Sequence, residues 1–446
     1  MGDVTHPLAL WRSVASPDLR AGAGALLTFG VTSLLAACAP NNPAGCAAEC
    51  DDGFTCDVDS GRCVAQALPP WEESFVPGRA ARIVAVDEDI FVATLAPEAR
   101  AVLVGQASSA TGAPVSFEVL ANRVRPASRR LGLAADGSRA AVAWIDVSGA
   151  FHVATRERTA EAAWSIDVAR VGAQLSYRAS DDFDIALTED GVLHIVFRGA
   201  DNTLEHLFRP VDGREWAAEL VDDGSRVADG ECPTSVRLAR GGGVGVEPDA
   251  LGGAQLRVAY HDADCGTLRL ARLVERRWSV SVVDNTSTQG AVGRFPSLAQ
   301  TPNGELAVAY QDLGRTALVF AREQGSGFAR EVVTQGARST FGTSQSPRRI
   351  SGAFTRLSFD ASGRAVISFF DASEVRARVV RSSSSERSPW EALALDDPEA
   401  ADVPRGFFAD HARTVSDDIM LVFERLVPGD GGRLSSRLGI IEGVAR

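Results

Sequence analysis

A large aromatic residue opening an apolar strand recurs seven times along this chain: Trp71, Phe117, Trp164, Trp216, Trp278, Phe328 and Trp390. The intervals are 46, 47, 52, 62, 50 and 62 residues. A second series interleaves with the first. It is an apolar strand ending on an aromatic, with aspartate two residues on in its clearest copies: Trp144-Ile-Asp146, Tyr260-His-Asp262, Tyr310-Gln-Asp312 and Phe369-Phe-Asp371. Phe197 and Phe423 end weaker copies, and Thr94 holds the place in the first. Asp136-Gly137, Asp190-Gly191, Asn303-Gly304 and Ser362-Gly363 precede these strands. They predict two-residue hairpin turns, whose central positions favour positive φ. A further strand ends near Ala-x-Arg or Ala-Arg at Arg156, Arg272 and Arg322. Four short strands in each such interval are the pattern of propeller blades. The chain therefore reads as all-β, with a seven-bladed β-propeller over residues 71–446.

The ends of the series predict how the ring closes. Trp71-Glu-Glu-Ser-Phe-Val76 reads as a fourth strand that comes before the first complete set. The last copy, about Ala412 to Val444, has three strands and no aromatic opener after them. An N-terminal strand completing the last blade removes the edges an open stack would expose. The long intervals also have visible causes. Gly241 to Gly253 reads as a glycine-rich insertion at the first turn of blade four, and Gln335 to Ser351 as a polar loop of blade six.

Composition removes several functions. A net charge of −13 argues against a nucleic-acid partner, because phosphate binding needs a basic surface. All 45 Lys-or-Arg positions are arginine, which excludes Schiff-base lysines, Ser-Lys dyads and P-loops. The six histidines are neither clustered nor spaced as a metal pair, so no metal and no cofactor are expected.

Residues 1–37 read as a secretory signal, with Arg12 and Arg20 ahead of an apolar run from Ala21 to Leu35. That run ends in Leu35-Ala36-Ala37-Cys38, which resembles the lipobox of bacterial lipoproteins. The resemblance implies a lipid on Cys38 and anchoring at the bacterial cell envelope, periplasmic or surface-exposed. Residues 38–45 form a tether. Cys46, Cys50, Cys56 and Cys63 then crowd a module over 46–64, which resembles the short EGF-like or Dickkopf-like cysteine modules. Two disulfides are expected there, with three pairings open. A four-thiolate zinc site is the weaker reading, because the spacings lack paired C-x2-C knuckles. Cys232 and Cys265 both fall in blade four, on loops that share a face, and are expected to bridge.

Gly293-Arg-Phe-Pro-Ser-Leu-Ala299, Asn303-Gly304, Leu306-Ala-Val-Ala-Tyr-Gln-Asp312 and Phe320-Ala-Arg322 resemble repeats of the BNR or sialidase-like propeller superfamily. The resemblance implies that fold. The catalytic pattern departs from it: Ser-x-Asp-x-Gly-x-x-Trp occurs in no repeat. Of three tyrosines, Tyr260 and Tyr310 are repeat positions suited to packing between blades, which leaves Tyr177 as the candidate nucleophile. Asp146, Asp262, Asp312 and Asp371 are expected on one face, together with Arg130, Arg294, Phe295, Arg356 and Phe407. Carboxylates and guanidiniums among aromatics suit a sugar or a peptide. A recurrent turn aspartate also has a structural reading, capping the amides of its own loop. The sequence thus predicts a monomeric binding module for a glycan or an envelope protein. The alternatives are a glycoside hydrolase and an assembly scaffold.

Overall fold

The computed structural model describes residues 54–57, 62–65 and 79–441, apart from segments of which the longest are 170–182, 224–248, 336–350 and 394–404. The cysteine module contributes a two-stranded sheet of β1 (Phe54–Asp57) and β2 (Arg62–Ala65). Seven further antiparallel sheets follow: β3–β6 (79–121), β7–β10 (132–168), β11–β14 (183–222), β15–β18 (249–284), β19–β22 (292–335), β23–β26 (351–393) and β27–β29 (405–441). In each sheet the strands pair in chain order, and the first strands touch one another in a closed circle, the last against the first. This is a seven-bladed β-propeller. The seventh blade has three strands among the described residues; the segment Trp71–Val76, expected to complete it, lies outside them.

The side-chain pattern of the second strands explains the ring. In β20 (Leu306–Asp312), Leu306, Val308 and Tyr310 join a cluster with blade four, while Ala307 and Ala309 face blade six. In β8 (Arg139–Ile145), Ala141, Ala143 and Ile145 turn to blade three, while Ala140, Val142 and Trp144 turn to blade one. A strand buried on both faces reads as a continuous apolar run. Large residues on one face and small ones on the other set the wedge shape. One hydrophobic cluster fills each of the seven gaps, including that between blades seven and one, where Val422 and Leu438 meet Ile83 and Val92.

Polar contacts stitch the same gaps at the outer rim. The indole N–H of each of three strand openers donates to an acid of the preceding blade: Trp164 to Glu118 at 2.7 Å, Trp216 to Asp167 at 3.3 Å and Trp278 to Glu219 at 2.7 Å. Deeper in, the Tyr260 hydroxyl donates to Asp222 of blade three, and that of Tyr310 to Asp284 of blade four, both at 2.5 Å. Both repeat tyrosines therefore pack between blades.

Two local readings are corrected. The turns at Asp190-Gly191, Asn303-Gly304 and Ser362-Gly363 are three-residue loops: the N–H of each glycine bonds back three residues, and only the glycine takes positive φ. That is a type I turn closed by a left-handed residue. The first strand of blade four is β15 (Asp249–Leu251), inside the glycine-rich stretch read as a turn insertion. Asp249 therefore has a place in the ring that a turn residue would lack, paired with Ala259.

Candidate functional site at the channel mouth

Four of the seven first strands carry a kink where they enter the sheet. Their pairing slips just after Arg79, Arg294, Ala353 and Phe407, in blades one, five, six and seven. At each slip a non-glycine residue adopts left-handed backbone: Ala80 (φ 54°), Phe295 (47°), Phe354 (52°) and Phe408 (51°). For a residue as bulky as phenylalanine this is a strained outlier, worth about 1–3 kcal/mol each, and such strain collects at ligand clamps. The three rings touch in a row across consecutive blades. Phe295 and Phe354 lie 4.9 Å apart, Phe354 and Phe408 4.4 Å. All three are half-buried. Phe370 supports Phe354 from its own blade at 6.4 Å, and the Arg294 guanidinium lies over Phe295 at 5.3 Å.

Two residues farther along each first strand lies a belt of seven equivalent positions: Arg82, Gly132, Asp184, Asp249, Ser297, Arg356 and Asp410. Side chains of this belt accept backbone N–H groups from the next blade. Asp184 takes that of Ala250 (3.0 Å), Asp249 that of Leu298 (2.6 Å), Ser297 that of Leu357 (3.0 Å) and Asp410 that of Ile83 (3.2 Å). The two arginines cross the channel. Arg82 pairs with Asp184 at 3.0 Å and Asp410 at 3.5 Å, passing blade two, where Gly132 presents no side chain. Arg356 pairs with Asp249 at 3.4 Å and Asp410 at 3.2 Å, passing the small Ser297 of blade five. Burial opposes the charge of Arg82, but Asp184, Asp410 and Asp249 outweigh it and hold the guanidinium protonated. Burial and the neighbouring Asp184 push the Asp249 carboxyl up to about 7, against the pull of Arg356 and Arg82. Aromatic wall and charged floor together define a mouth that is apolar along one arc and ionic beneath.

The expected site residues divide between this mouth and the blades. Arg294 and Phe295 stand at the mouth and Arg356 in the belt. Three of the aspartates serve their own loops, and the fourth an arginine of the next strand. Asp146 accepts the Ala150 N–H at 2.9 Å and contacts His152 at 2.7 Å. Asp262, 2% exposed, accepts the Cys265 N–H at 3.1 Å and pairs with Arg269 at 2.6 Å. Asp312, fully buried, accepts the Arg315 N–H at 3.0 Å, and burial raises its pKa. Asp371 pairs with Arg378 at 3.2 Å. Tyr177, Cys38, Cys46, Cys50 and Cys232 lie outside the described residues, as do the side chains of Cys56, Cys63 and Phe407. Cys265 is disulfide-bonded.

Two features escaped the linear reading. The ring that joins the aromatic row in blade seven is Phe408, because the kink shifts register by one. A signal for it exists in the repeated Gly293-Arg-Phe295, Gly352-Ala-Phe354 and Gly406-Phe-Phe408. The histidines do cluster: His194 and His206, on paired strands of blade three, meet at 2.8 Å, and His206 meets Glu219 at 2.8 Å. Among the described residues no group of side chains is arranged to hold a metal ion.

Fold and mouth thus define the chain as a seven-bladed propeller with an aromatic-lined channel opening. No protein-family model and no curated protein matches it. Among solved structures it is similar to a protein of unknown function from Dyadobacter fermentans (11% identity, TM-score 0.45, covering 84% of this chain and 96% of that one). It is also similar to the polysaccharide lyase Uly1 (9%, 0.47, covering 84% and 91%). A third is the six-bladed fucose-recognising lectin of Aleuria aurantia (12%, 0.41, covering 70% and 94%). Likenesses this distant carry no argument about ligand or activity.

Proposed function

We propose that the chain is a binding module of the cell envelope, exported and lipid-anchored, and that it holds a glycan at the channel mouth. The observation that supports the ligand is the aromatic row: three adjacent blades each hold a phenylalanine in left-handed backbone, with the rings in contact and half-exposed. A pyranose has one apolar CH face and a polar edge. The rings suit the face, and the arginines and carboxylates beneath suit the edge. Alanine already occupies the equivalent left-handed position of blade one, as Ala80, so the fold is expected to survive replacement of Phe354, the central ring, by alanine. On a glycan array, the full-length protein should bind one class of sugar, and Phe354→Ala should lose roughly 10-fold or more, the value of one aromatic contact. Undiminished binding by the variant would move the site elsewhere.

The anchor rests on Leu35-Ala36-Ala37-Cys38. Labelled fatty acid fed to the producing bacterium should enter the wild-type protein and not Cys38→Ala. Equal labelling of both would remove the lipoprotein reading.

A further inference from the structure

We propose that the glycan held at this mouth is acidic, its carboxylate lying against the guanidinium groups of Arg82 and Arg356. This rests on the glycan-binding reading above and adds the ligand's charge. The floor of the mouth contains more carboxylates than guanidiniums, which at first suggests a cationic ligand. Exposure decides otherwise. The side chains of Asp184, Asp249 and Asp410 are 3%, 7% and 4% exposed, whereas those of Arg82 and Arg356 are 22% and 25% exposed. The carboxylates are turned into the wall, where they accept the backbone N–H groups of the neighbouring strands. The more exposed side chains of the belt are those of the two arginines.

Their donors are only partly used. Arg82 contacts its partners through Nε and Nη2, and Arg356 through Nε and Nη1. Arg82 Nη1 and Arg356 Nη2 make no hydrogen bond among the described residues. Both guanidiniums lean on one carboxylate, Asp410, from its two oxygens, so they stand side by side, and Arg356 and Asp410 each follow a ring of the aromatic row, Phe354 and Phe408, by two residues. A planar carboxylate suits such paired N–H donors.

The local charge permits this. The charged groups facing the arginines are Asp184, Asp249 and Asp410. His411, next along the last blade's first strand, is kept neutral by burial and by Arg356 and Arg413. With the Asp249 carboxyl raised to about 7, the belt near neutral pH approaches two positive and two negative charges. An added anion raises Asp249 further, so anion binding and proton uptake favour each other. Affinity for the acidic glycan should therefore increase as pH falls from about 8 to about 6, while affinity for a neutral one should not.

The test is calorimetric titration of the full-length protein with a panel of uronate oligosaccharides, each paired with its carboxyl-reduced, neutral counterpart. One acidic member is expected to bind roughly 10- to 100-fold more tightly than its reduced form, as for a charge-assisted hydrogen bond. That ratio should grow toward pH 6 and shrink in Arg356→Gln. Because Arg356→Gln leaves Asp249 and Asp410 short of a partner and can unfold, the pH dependence of the unaltered protein is the independent measurement. Equal affinity for both forms, or preference for the reduced form, overturns the acidic ligand and leaves the glycan site standing. Binding of neither form, of any panel member or neutral sugar, overturns both.

Discussion

Replacing Asp222 by alanine is expected to cost the fold about 3–5 kcal/mol, the usual penalty for removing one partner from a buried charge network. Asp222 is fully buried and accepts from the Tyr260 hydroxyl at 2.5 Å and from Arg269 at 3.1 Å. Arg269 is itself 1% exposed and lies on blade four, as Tyr260 does, whereas Asp222 ends the outer strand of blade three. The substitution therefore opens a blade interface and leaves a buried phenol without an acceptor. Tyr260→Phe removes only one hydrogen bond and should cost about 1 kcal/mol. Urea unfolding of the two variants against wild type measures both losses. If Asp222→Ala proved no worse than Tyr260→Phe, the network would be a passive contact, not a clamp between blades.

Acid should begin to destabilise the propeller before its carboxylates titrate in the usual range. Burial, together with the charge of His206, lowers the pKa of His194 to about 3. Burial, with Arg356 and Arg413 nearby, lowers that of His411 to about 3. Burial also lowers His206, against the pull of Glu219. Unfolded, these histidines take up protons near pH 6.5. Below that pH the unfolded chain binds more protons than the folded one, so stability falls as pH falls from about 6.5 toward the folded values. Asp249 works in the opposite sense, because its folded carboxyl, raised to about 7, binds a proton that the unfolded one releases. His194 and His411 against Asp249 leave a net of about one proton, or about 1.4 kcal/mol per pH unit, to which His206 adds and from which the raised Asp312 and Glu331 subtract. The check is the urea midpoint between pH 7 and 5 for wild type and for His411→Asn, whose slope should be shallower by about one proton. His411 sits between Ser358 at 2.7 Å and Ser368 at 2.8 Å, which an asparagine amide can partly satisfy. Parallel slopes would mean that His411 takes its proton in the folded state.

The sequence by itself determined the repeat. Aromatic openers, two-sided apolar second strands and tyrosines between blades recur because each blade meets the same wedge-shaped neighbour, so the same packing demand is written seven times. The recurrent aspartates were legible for the same reason: Asp146, Asp262 and Asp312 each cap an amide of a local loop, that of Ala150, Cys265 and Arg315. Only the tertiary structure decided the mouth. The belt positions read Arg, Gly, Asp, Asp, Ser, Arg and Asp around the ring. No repeat is visible there because the charged residues answer one another around the ring, Arg82 to Asp184 102 residues away and Arg356 to Asp249 107 residues away. Phe408 joins the aromatic row from a left-handed position inside a kink that occupies one extra residue. His194 and His206 meet because antiparallel strands bring residues 12 apart onto one face. Local packing repeats and so can be read along the chain; charge pairing across a closed ring is settled only when the ring closes.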